Sequence, residues 1–103
     1  MKIDLLYFDG CPSWQIALDI LKRVLREEGI PEPVNVIEIV NNEQAQKEKF
    51  LGSPSIRING IDLWLEQREN YSLSCRIYTT PEGVKGWPTN EMLRSKIKLM
   101  LSL

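Results

Sequence analysis

A chain of 103 residues, 43% hydrophobic and 26% charged, has the size of one domain and enough apolar content for one core. Its 13 basic and 14 acidic residues are interspersed and leave a net charge of −1, so there is no basic stripe to hold nucleic acid. No apolar run is long enough to span a bilayer, and Lys2 followed by a strand with Asp4 in it is not a signal peptide, so the expectation is a single cytoplasmic domain over residues 1–103 with no membrane partner.

Two cysteines and no histidine remove Cys–His and Ser–His nucleophile pairs. Two sulfurs alone cannot close a tetrahedral zinc site, and neither a structural metal nor a cofactor is expected. In a reducing compartment two distant cysteines read as free thiols, with a transient bond between them left open.

Residues 3–8 read as a buried strand that Gly10 stops. An apolar helical pattern follows over 12–28, with Ala17, Leu21, Val24 and Leu25 on one face and Gly29 as the stop. Cys11 therefore sits where a strand hands over to a helix. Pro12 suits a first helical turn, which makes Cys11 the expected N-cap residue. There the first N–H groups and the positive end of the helix dipole favour thiolate over thiol. The plainer alternative is a small buried residue at a strand end.

Residues 34–40 are β-branched and nearly continuous in apolar character, which suggests a central strand of a parallel sheet. Strand, helix and strand then make a βαβ unit. Asn41 or Asn42 caps a short, exposed helix over 43–50. Gly52-Ser53-Pro54-Ser55 breaks it. Ile56-Arg57-Ile58 alternates as a strand, Asn59-Gly60 is a strong hairpin signal, and residues 61–65 begin the return strand. Residues 66–73 are polar and irregular, and 73–78 read as a strand or an ordered loop. Pro81, Gly83, Gly86 and Pro88 mark a loop, after which Thr89 caps a last helix over 90–102 with Leu93, Ile97 and Leu101 on its core face. The fold class is α/β, in the order β-α-β-α-β-β-α, with a central mixed sheet flanked by helices.

Three features together resemble the thioredoxin superfamily: a cysteine and proline at a strand–helix junction, Gly52-Ser53-Pro54 ahead of the third strand, and the element order itself. The resemblance implies a cis Pro54 whose loop faces the active cysteine. A closer resemblance is to small bacterial thioredoxin-like proteins of poorly defined function. Those proteins carry a GCP start, a GSPT(I/V)R(I/V)-x-G-x-D middle and a CR(I/L)Y segment. Here these stand as Gly10-Cys11-Pro12, Gly52 through Asp62, and Cys75-Arg76-Ile77-Tyr78.

The chain departs from the Cys-x-x-Cys pattern of that superfamily, because the fourth position is Trp14. A residue at i+3 lies back over the first, so Trp14 is expected to cover Cys11. The resemblance implies thiol–disulfide exchange with Cys11 as the nucleophile, resolved by Cys75 or by an external thiol of the glutathione kind. Pro12, Trp14, Ser53, Pro54 and Ser55 would line the substrate position, the main chain of Ser53 and Ser55 pairing with an extended protein disulfide. Cys75 reads equally as a resolving thiol or as a small hydrophobe in a strand. Arg76 reads as a surface residue. A non-catalytic module on the same fold is the alternative, binding a peptide, a small thiol or a soft metal.

Overall fold

Alternation along the first strand decides how the layers form. The computed structural model describes residues 1–102. In β1 (Ile3–Tyr7), Ile3 and Leu5 point into one apolar cluster and Leu6 into another. The first cluster takes Ala17, Leu21, Val24 and Leu25 of α1 (Trp14–Glu27) together with Leu93 and Ile97 of α3 (Asn90–Leu101). The second joins Ile39 and Phe50 to Ala45 of α2 (Asn42–Glu48). A strand that is apolar on both faces thus has α1 and α3 over one face and α2 over the other.

The sheet is mixed and four-stranded, in the order β2-β1-β3-β4. β2 (Val34–Glu38) runs parallel to β1, and β3 (Ser55–Ile58) runs antiparallel on its other side. β4 (Ile61–Asp62) returns from β3 through Asn59 and Gly60, both at positive φ (53° and 82°), as an Asn-Gly hairpin requires. The chain is therefore α/β, with three helices and a mixed sheet among the described residues. No helix among them is long and apolar enough to cross a membrane.

Four expectations need correction. β2 is an edge strand, not a central one: β1 is closed on both faces and takes the middle, while Val36 of β2 is left 43% exposed. The first helix begins at Trp14, because Pro12 and Ser13 form a turn ahead of it, and Ser13 rather than Cys11 is the N-cap. The stretch over 81–88 is not all loop, since β5 (Tyr78–Thr80) and β6 (Gly83–Lys85) pair across a tight turn at Pro81 and Glu82. Leu101 does not reach the core and is 48% exposed at the end of α3.

The helix caps divide by chemistry. Asn41 accepts from the Gln44 N–H (2.8 Å) and Thr89 from the Met92 N–H (3.1 Å). Ser13 is already in a helical conformation (φ −64°, ψ −15°), and its side chain caps nothing. It is instead packed against Gly86, where a Cβ would fall 2.5 Å from the Ser13 hydroxyl.

Candidate functional site

The end of β1 turns sharply at residues 8–11, where the Cys11 N–H donates to the Phe8 carbonyl (3.0 Å). Gly10 makes room for this turn, because a Cβ there would lie 2.5 Å from the Phe8 ring. The turn sinks Cys11 to 2% exposure beneath the surface. Its sulfur is bonded to Cys75, which lies 64 residues further along, with Cα atoms 5.7 Å apart. That Cα separation is ordinary for a disulfide. Cys75 is exposed, so the bond has a buried end and an open end.

Residues 74–78 are seated on the Gly52–Ser55 loop by their main chain. The Ser53 N–H donates to the Ser74 carbonyl (2.8 Å), and the Ser53 carbonyl accepts from the Arg76 N–H (2.9 Å). These two bonds form a parallel bridge between Ser53 and Cys75. The Tyr78 hydroxyl donates to the Pro54 carbonyl (2.6 Å). Gly52 permits the approach, because a Cβ there would stand 2.9 Å from the Arg76 Cβ, and its φ of +114° already selects glycine. The Ser53–Pro54 peptide bond is cis.

The structure thus brings Cys11, Ser53, Pro54, Ser55 and Cys75 together, but in roles that differ from the expected ones. The Ser53 main chain does not offer free groups to a substrate, since both of its groups are paired within the chain. The Ser55 hydroxyl donates to the Gly52 carbonyl (2.5 Å) and accepts from the Arg76 guanidinium (3.1 Å), so it serves the segment and not a ligand. Pro12 is exposed beside Cys11. The Trp14 indole is stacked on Tyr7, with ring centroids 4.0 Å apart. The Ser53 hydroxyl is buried and has no hydrogen-bond partner among the described residues.

Arg76, expected at the surface, is 6% exposed. Its guanidinium donates to the Asp62 carboxylate, the Ser55 hydroxyl and the Trp64 carbonyl. Burial works against the charge, but Tyr78 and Asp62 outweigh it, and the guanidinium pKa is raised. Asp62 is itself held, its carboxylate accepting from the Trp64 N–H (2.8 Å). Burial pushes the Tyr78 phenol well above its ordinary value, although Arg76 draws it back in part. The Tyr78 ring meets Trp64 edge-on at 5.1 Å.

Asp62, Arg76 and Tyr78 are the members of this site that sequence reasoning missed. Their signal was present as a period of two. From Cys75 to Thr80 the residues alternate between exposed and buried, with Arg76, Tyr78 and Thr80 inside and Ile77 out at 70% exposure. Polarity runs opposite to the usual pattern, because the inward arginine meets a carboxylate.

No family model, no curated protein and no solved structure matches this chain.

Proposed function

We propose that the chain is a thiol–disulfide oxidoreductase of thioredoxin-like fold, acting in the cytoplasm through the Cys11–Cys75 pair. The observation that carries this reading is the disulfide itself, which joins a strand–helix junction to an exposed cysteine on a separate segment. In a reducing compartment a disulfide is typically transient and chemical, not structural. An open end at Cys75 gives an incoming thiol a sulfur to attack.

The resemblance gives the first attack to Cys11, but that residue is 2% exposed, so in the working direction the exposed Cys75 thiolate attacks a substrate disulfide, RS–SR. A Cys75–S–S–R bond forms, and one RS⁻ leaves. Cys11, already within bonding distance, attacks the Cys75 sulfur as thiolate and expels the second RS⁻. The pair loses two electrons and two protons, and the substrate becomes two thiols. Holding the thiols face to face replaces a second bimolecular encounter.

The test is equilibration in glutathione redox buffers, with thiols trapped by alkylation and counted by mass. A redox-active pair interchanges on the glutathione scale, at a potential above about −300 mV, whereas structural bridges lie below it. A pair that stays oxidised in every buffer while the protein remains folded would overturn the reading.

A further inference from the structure

We infer that the reductant that resets the Cys11–Cys75 pair is a low-molecular-weight thiol, not a polypeptide, because the chain's own segment 74–78 fills the place where a guest strand would lie. The inference rests on the thiol–disulfide reading above and adds the class of partner to it.

A polypeptide that delivers a cysteine to a sheet edge needs main-chain groups to pair with. Beside this disulfide those groups are the N–H and carbonyl of Ser53 and the carbonyl of Pro54. Ser74, Arg76 and Tyr78 occupy all three, at 2.8, 2.9 and 2.6 Å. The fit is close enough that the Gly52 position tolerates no Cβ against Arg76.

The sulfur bond is not the only tether on this segment. The Arg76 guanidinium is bound to Asp62, with side-chain exposures of 5% and 4%, and to Ser55 and Trp64. Pulling the segment away would leave the Asp62 carboxylate without its buried cation, which is strongly unfavourable. Cleavage of the disulfide therefore leaves the segment seated, and the guest position stays closed in both redox states.

What remains open is the outer end of the disulfide. Cys11 is 2% exposed and Cys75 is exposed. A small thiolate RS⁻ attacks the Cys75 sulfur, the S–S bond breaks, and Cys11 leaves as thiolate. A second RS⁻ attacks the new Cys75–S–S–R bond, releasing Cys75 as thiolate and RS–SR. Two thiols are oxidised, and the pair gains two electrons and, from solvent, two protons.

The experiment starts from the oxidised protein. Its reduction by glutathione is compared with reduction by a linear peptide carrying one central cysteine, at equal thiolate concentration, with mixed disulfides trapped by acid and mapped by mass. Glutathione should be faster by at least about tenfold, with its adduct on Cys75. Asp62→Asn, which loosens the Arg76 anchor, should raise the peptide rate relative to the glutathione rate and so narrow the gap between the two. A peptide as fast as glutathione in the wild-type protein, or an adduct on Cys11, overturns the inference and leaves the redox reading standing. Failure of both thiols to reduce a folded protein at any ratio overturns the two together.

Discussion

The Arg76 guanidinium donates to both oxygens of the Asp62 carboxylate, at 2.9 and 3.2 Å, in a pair whose side chains are 5% and 4% exposed. Asp62 ends the short edge strand, and Arg76 follows the disulfide-bonded Cys75. The pair therefore ties the position of Cys75 to the sheet. Coulomb attraction alone does not make such a pair stabilising, since desolvation opposes it. Removal of one partner is a different matter.

Asp62→Ala leaves a buried guanidinium without its carboxylate and should cost about 3–5 kcal/mol of unfolding free energy. Urea titration of the oxidised protein checks this. Replacing both partners, as Asp62→Leu with Arg76→Met, should recover most of the loss. A double variant no more stable than Asp62→Ala would show that the pair is not an isolated electrostatic unit.

Reduction should destabilise the chain without unfolding it. The disulfide closes a loop spanning 64 residues, and the chain-entropy relation assigns such a loop about 4 kcal/mol. Urea midpoints with and without reductant measure this, and Cys11→Ser with Cys75→Ser should match the reduced protein. Coincident midpoints would contradict the chain-entropy assignment for this bond.

Alkaline pH should weaken the fold through Tyr78. Its phenol is raised above the ordinary value of 10.0, chiefly by burial. The unfolded chain therefore releases this proton at a lower pH than the native one. Stability is fully present below pH 10 and falls as pH climbs toward the native value. Tyr78→Phe should flatten that alkaline fall while losing the hydrogen bond to Pro54. Thermal unfolding against pH, alongside tyrosinate absorbance, checks the sign.

The two serine and threonine helix starts should respond differently to alanine. Thr89→Ala removes the hydroxyl that accepts from the Met92 N–H and should cost about 1 kcal/mol. Ser13→Ala removes no capping bond and should change stability little. Equal losses in denaturant titrations would contradict the difference in geometry.

Elements whose shape follows from local chemistry were legible in the sequence. The core face of α1 is Ala17, Leu21, Val24 and Leu25, as its spacing indicates, and Thr89 caps α3. The Asn59-Gly60 turn follows from two positive-φ positions. Strand order was less legible, because a β-branched run such as Val34–Glu38 says that a strand forms and not how many neighbours it has. The helix start was misplaced because Pro12 fits a turn as well as a first helical residue. The cysteines were identified individually, but their bond depends on a segment docked by Arg76. That docking is a contact with Asp62, 14 residues earlier, which no local pattern reports.

The covalent loop from Cys11 to Cys75 encloses α1, β2, α2, β3 and β4, and also the wholly exposed run from Leu65 to Asn70. A protease that severs the backbone once at Arg68 would not release a fragment. The two pieces stay joined through sulfur, and residues 74–78 stay seated on the Gly52–Ser55 loop across the cut. Such a nicked protein migrates as one species until a thiol is added. Reduction then converts it into a two-chain complex held together by the core that α3 shares with α1 and β1, the main-chain bonds of Ser53 and the Arg76 anchor.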